Sequence, residues 1–183
     1  MKRLLFILFF GYAASAHSQY NIPLLFSKPI AVVNASTPAV TSQTIGTLRN
    51  DYSDFVGFSF FVGASSITVT SLGRWIISGN TGSHTLKIVN YTTGATVVST
   101  TINTSGMTAN TFGYAACAST VLNANTTYVI LSLEVSGGDF WADESPITVT
   151  SAINNAASSY ASGSNIYIVT TGKSYVPLNF KYY

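Results

Sequence analysis

The chain has 183 residues, of which 47% are apolar, 13% aromatic and only 8% charged. That apolar content can fill a core and excludes an intrinsically disordered chain. Eight Lys and Arg stand against six Asp and Glu; they form no basic stripe, so nucleic acid is not an expected partner.

Lys2 and Arg3 precede an unbroken apolar run, Leu4 to Phe10, and Ala14-Ser15-Ala16 follows. A basic start, a short apolar stretch and an Ala-x-Ala step form the pattern of an export signal. The run is far shorter than the roughly 20 residues that span a bilayer. We expect residues 1–18 to be cleaved, after Ala16 or Ser18, and the mature protein to be secreted or displayed at the cell surface without a membrane span. Losing Lys2 and Arg3 leaves six basic residues against six acidic ones, so the mature chain is formally neutral. No amphipathic basic helix is visible that would bind a membrane surface.

Residues 19–47 hold Pro23, Pro29 and Pro38 and keep no hydrophobic period. They read as an irregular or edge-strand lead-in. From Asp54 onward apolar residues recur at every second position. Val56, Phe58, Phe60 and Val62 make one such set; Ile67 and Val69, then Leu86 and Ile88, make others. Val129, Leu131, Leu133 and Val135 follow, then Val176, Leu178, Phe180 and Tyr182. Each set predicts a strand with one face on the core. Turn signals separate them at Gly79–Gly82, Thr92–Gly94, Asn123–Asn125, Gly137-Gly138 and Ser162–Ser164. This spacing predicts an all-β antiparallel sandwich or barrel, one domain over 48–183. Ile153–Ala161 is the one stretch where a short turn of helix is expected. Cys117 is the single cysteine, so no internal disulfide is expected, and it reads as a small buried hydrophobe.

Four of the six acidic residues, Glu134, Asp139, Asp143 and Glu144, fall within one stretch that also carries Trp141. If Val129, Leu131, Leu133 and Val135 face the core, Glu134 faces solvent or a cleft. Asp139, Trp141 and Asp143 stand at alternate positions and would share a face in extended chain. An indole flanked by carboxylates suits a sugar, whose ring packs on the aromatic face while its hydroxyls donate to the carboxylates. The same residues allow other readings. Asp139, Asp143 and Glu144 could hold calcium, although no D-x-[DN]-x-[DN]-G loop is present. Asp139 and Asp143 could form a hydrolytic pair. Structurally, Glu134 and Asp139 could cap turn amides or pair with Arg74 or Arg49.

In Ser71-Leu72-Gly73-Arg74-Trp75 the last two side chains should point to opposite faces, Trp75 into the core and Arg74 toward one of the rare carboxylates. Ser78-Gly79-Asn80-Thr81-Gly82-Ser83-His84 lacks the Lys-Ser/Thr ending of a phosphate loop. It reads as a hairpin with His84 at a turn or strand edge.

Taken in order, several runs resemble a little-characterised β-sandwich module of exported bacterial proteins. They are Leu48-Arg49-Asn50-Asp51, Val56-Gly57, Phe60–Gly63, Val69–Trp75, Ser78–His84, Thr127-Tyr128, Glu134 with Gly137–Asp143, and Tyr175–Phe180. The resemblance implies a jelly-roll-like sandwich, distantly similar to carbohydrate-binding domains, and an accessory, non-catalytic role; apart from the calcium reading above, no cofactor is expected. We therefore expect a non-catalytic protein that binds glycan or a cell-surface component, through Trp141, Asp139, Asp143 and Glu134. The alternative is a structural subunit of an extracellular assembly that self-associates through its N-terminal segment.

Overall fold

The computed structural model describes residues 35–183; the export signal over 1–18 and residues 19–34 of the lead-in over 19–47 lie outside the described residues. Three short strands come first: β1 (Thr37–Pro38), β2 (Val40–Gln43) and β3 (Thr47–Arg49). The long strands follow, β4 (Asp54–Val62), β5 (Ile67–Trp75), β6 (Ser83–Asn90), β7 (Thr96–Asn103), β8 (Phe112–Leu122) and β9 (Thr127–Glu134). Then come β10 (Trp141–Asp143), β11 (Ser145–Val149), β12 (Ile153–Ser162), β13 (Asn165–Thr171), β14 (Lys173–Ser174) and β15 (Leu178–Tyr182). No helix occurs among the described residues.

Two antiparallel sheets form the sandwich, one of six strands in the order β13-β12-β4-β9-β6-β7 and one of four in the order β1-β15-β5-β8. The main core fills the space between them with Val56, Phe58 and Phe60 of β4, Leu86 and Ile88 of β6, Leu72 of β5, and Leu178 and Phe180 of β15. The Phe60 and Phe180 rings, 5.0 Å apart, join the two sheets. The chain crosses from β4 to β5, returns for β6 and β7, crosses again for β8 and returns for β9. These crossings make the sandwich jelly-roll-like. Two small sheets, β10-β3 and β14-β11-β2, lie beside it. Residues 37–47 are thus paired within the domain's own sheets.

Four expectations change, each for a physical reason. First, β9 faces the other way. Tyr128 and Ile130 belong to the main core, whereas Val129 and Leu131 form a second cluster with Val89, against Phe55 and Ile166. Because β9 lies between β4 and β6 and is covered on both faces, both alternating sets are apolar. Ser132 and Glu134 consequently face inward and are buried.

Second, β5 carries a bulge between Val69 and Ser71, which stand opposite the adjacent residues Tyr182 and Lys181 of β15. A bulge inserts one residue and inverts the alternation beyond it. Leu72 and Arg74 therefore follow Ile67 and Val69 into the interior, and Trp75 turns outward, half-buried against Phe112. Third, Ile153–Ala161 is strand, not helix: it forms β12, between β4 and β13. A register shift between Asn154 and Ala157, with Asn155 at φ 52°, breaks its period of two. Fourth, His84 is no edge residue. It shares the inward phase of Leu86 and Ile88 on β6 and is buried.

Candidate functional site

The acidic stretch divides into two separate arrangements. The first is a buried polar network at one end of the core. Arg74 of β5 and Glu134 of β9 come from opposite sheets and meet at 2.7 Å, with side chains 0% and 1% exposed. Ser132 donates to Glu134 Oε1 at 2.6 Å. Arg74 also donates to the Phe140 carbonyl at 3.2 Å, and so does Asn80 at 3.0 Å. Burial pushes Arg74 down and Glu134 up, and the charge of each opposes the shift of the other.

Asp139 anchors the hairpin beside this pair. It accepts the backbone N–H groups of Thr81 and Gly82, each at 2.9 Å, and the Thr104 hydroxyl at 2.8 Å. His84 Nε2 lies 3.0 Å from the same carboxylate, and its Nδ1 faces the Leu133 carbonyl at 3.1 Å and Glu134 Oε2 at 3.4 Å. Both ring nitrogens therefore face oxygen acceptors. Burial works against the charge of Asp139, but the bonds from His84, Thr81, Gly82 and Thr104 outweigh it and hold the carboxyl down to about 2.

The second arrangement surrounds a cavity of about 190 Å³ lined by Arg49, Tyr52, Val56, Trp141, Tyr160 and Tyr175. Pairing of β3 with β10 sets Arg49 directly opposite Trp141, and the guanidinium lies 5.2 Å from the indole centroid. Arg49 also bonds Asp51 at 2.9 Å and Asp143 at 2.8 Å, contacts that hold it above its ordinary range despite partial burial. Tyr175 meets Trp141 edge to face at 6.3 Å. Burial, reinforced by neighbouring Glu144, pushes the Tyr175 phenol up to about 12, so it stays a neutral hydroxyl. Glu144 accepts from Ser158 at 2.7 Å and lies 3.4 Å from Lys173.

On the far wall the Tyr52 hydroxyl donates to the Ala161 carbonyl. The Tyr52 ring sits edge-on to Tyr160 at 6.4 Å. Tyr160 stands opposite Tyr167 on the β12–β13 ladder, and the two rings stack at 5.1 Å. Tyr167 is 44% exposed. A row of aromatic rings therefore runs from the cavity to the open edge of the six-stranded sheet.

This geometry corrects the reading of the four acidic-stretch residues as one exposed shelf. Asp139 lies in the bend before β10, not in extended chain, and so does not alternate with Trp141. Trp141 and Asp143 do share a face, the one that Arg49 straddles. Trp141 is only 3% exposed, a wall of the cavity and not a platform. Glu134 is interior. Asp139, Asp143 and Glu144 point to three different sets of partners, and among the described residues no group of three or more His, Cys, Asp or Glu side chains could hold a metal ion. Cys117 is half-buried against the core, and burial pushes its thiol up.

Sequence reasoning missed Arg49, Tyr52, Tyr160, Tyr167 and Tyr175 as neighbours of Trp141. One signal was present: Arg49, one of the few arginines, stands two residues before Asp51. No family model matches the chain, and no curated protein matches it. The likeness to a carbohydrate-binding module thus gains no support there, and the all-β sandwich is what stands.

Proposed function

We propose that the protein is an exported, non-catalytic β-sandwich that binds glycan at the cell surface, through the aromatic row rather than through the acidic stretch alone. The observation that carries this reading is that two aromatic groups, Trp141 with Tyr175 and Tyr52 with Tyr160, line one cavity, and the second group continues to exposed Tyr167. Sugar rings pack their C–H faces on such rings, and phenol hydroxyls supply hydrogen bonds at the edges. A cavity of about 190 Å³ is smaller than the roughly 300–1,000 Å³ of drug-sized sites. It suits a single ring, with the rest of the glycan lying along Tyr167.

The charge around the cavity narrows the ligand. Arg49 and Lys173 stand among Asp51, Asp143, Glu144 and Asp54, the last acting on Tyr52. Acidic groups outnumber basic ones, and Arg49 is already committed to two carboxylates. A glycan bearing carboxylate or sulfate would meet net repulsion, so the expected ligand carries neither. A hydrolytic pair would need two carboxylates facing one cleft. Asp139 is bound to four donors away from the cavity, and Asp143 is bound to Arg49.

Affinity electrophoresis through gels containing uncharged polysaccharides tests the proposal. Tyr167→Ala should weaken retardation about 2- to 10-fold, the equivalent of one aromatic contact. Polygalacturonate should retard the protein less than any uncharged polymer that binds it. Unchanged retardation of Tyr167→Ala would remove the row from the site.

A second reading, a self-associating structural subunit, has its own observation. Strand β13 ends the six-stranded sheet, contains no charge and no proline, and exposes Tyr167, Ile168 and Val169. Edge strands normally carry such guards against pairing with another chain. If β13 pairs with its copy, Val169→Lys should convert an oligomer to monomer in light scattering. A monomeric wild type at high concentration excludes this reading.

A further inference from the structure

We infer that the protein carries a second glycan site, a groove on the four-stranded sheet walled by Trp75, Phe112 and Tyr114. The groove holds about 420 Å³ and is bordered by β2 residues including Gln43, with Asn179 of β15 at its side. Trp75 is there because of the bulge in β5, which aims it away from the core. Its ring meets Phe112 edge to face at 5.1 Å, and Phe112 lies 6.1 Å from Tyr114. Among the described residues, no charged side chain lines the groove. Lys181 is held over the Tyr114 ring at 4.4 Å.

Unmet hydrogen-bonding capacity is concentrated at this place. Trp75 Nε1, Gln43 Nε2 and Gln43 Oε1 are buried atoms without a partner, three of the seven such side-chain atoms among the described residues. Leaving buried polar groups unpaired is costly, and native proteins rarely do it without a reason. Asn179 provides the contrast. Its amide accepts from the Val40 N–H at 2.8 Å and donates to the Val40 carbonyl at 2.9 Å. Trp75 and Gln43, both of which line the groove, therefore carry two unpaired donor atoms and one unpaired acceptor atom, beside three aromatic rings. Sugar hydroxyls both donate and accept, and the ring beneath them is apolar, so an uncharged glycan that turns these two side chains toward itself supplies the missing partners.

This groove and the cavity at Trp141 share no lining residue. Two sites built on different strands would let one molecule bridge two polysaccharide chains and gain avidity.

The test uses the full chain in affinity gels of β-glucan, xylan, galactomannan and glycol chitin. Four variants are compared: Trp75→Ala, Gln43→Ala, Tyr167→Ala and the Trp75→Ala/Tyr167→Ala pair. Circular dichroism checks each fold, and Gln43→Ala serves if Trp75→Ala does not fold. We expect Trp75→Ala and Gln43→Ala each to weaken retardation by at least 3-fold on one polymer, the pair to abolish it, and wild type alone to cross-link that polymer in turbidity assays. Loss in Trp75→Ala with none in Tyr167→Ala supports the groove and removes the aromatic row. Wild-type retardation of both groove variants, or no retardation of wild type by any polymer, overturns the inference.

Discussion

Arg74 and Glu134 form an ion pair that spans the sandwich with both side chains sealed from solvent. Replacing Arg74 with Met keeps most of the side-chain volume but leaves Glu134 facing the core with only Ser132 and His84 near its oxygens. Removing one partner of a buried pair costs about 3–5 kcal/mol, because the remaining charge stays desolvated and unpaired. In a domain of this size each kcal/mol moves Tm by about 2–4 °C, so Arg74→Met should melt about 6–20 °C below wild type. Replacing both residues with apolar ones removes the stranded charge as well. The double variant Arg74→Met/Glu134→Leu should therefore recover most of the loss, with a coupling of at least about 2 kcal/mol in the cycle. Differential scanning calorimetry of the four proteins measures each corner. If either single variant loses less than about 1 kcal/mol, or the double variant loses the sum of the two, the pair is not the buried, coupled unit described above.

Three other outcomes follow from the same geometry. Asp139 is held down to about 2 in the folded chain, below its ordinary 3.8. A carboxyl depressed by folding contributes stability above its unfolded value and loses it as pH falls through the folded one. The Tm gap between wild type and Asp139→Asn should thus be largest above about pH 4 and close toward pH 2; a gap that stays constant refutes the hydrogen-bonded role. A Cβ on Gly57 would lie 2.0 Å from the Ile130 carbonyl and 2.9 Å from Leu178 Cδ1, so Gly57→Ala should cost well over the typical loss of about 1 kcal/mol in urea unfolding. Trp141→Ala should cost about 3–5 kcal/mol as a buried aromatic truncation, whereas exposed Tyr167→Ala, which loses one stacked pair with Tyr160, should cost only about 0.5–1.5 kcal/mol. Tyr167, not Trp141, is therefore the residue whose loss separates binding from folding.

The outer limits of the fold were legible because strands with one wet face announce it. Val56, Phe58 and Phe60, and likewise Leu86 and Ile88, sit in the core as their alternation requires. Legibility fails where both faces are dry. In β9 the sets Tyr128/Ile130 and Val129/Leu131 are equally apolar, and hydropathy cannot say which one faces the other sheet. The wrong choice puts Glu134 toward solvent or a cleft instead of the core. The site was less legible still. Trp141 was visible as a rare residue in an unusual stretch, but its neighbours come from β3, β4, β12 and the segment after β14. Only pairing of Arg49 with Trp141 and of Tyr160 with Tyr167 brings them together.

The bulge in β5 shows how small a feature decides the polar architecture. Without it, the phase of Ile67 and Val69 would carry Ser71, Gly73 and Trp75 inward and turn Arg74 out. Trp75 would then fill the core, the groove would lose its wall, and Glu134 would face inward without its cation, an arrangement too costly to persist. With it, one inserted residue places the guanidinium against Glu134 and the indole on the surface beside Gln43. The two outcomes are linked: whatever selects the inward Arg74 also exposes Trp75. Core ion pair and outer aromatic groove are opposite faces of one strand, and neither could be repositioned without undoing the other.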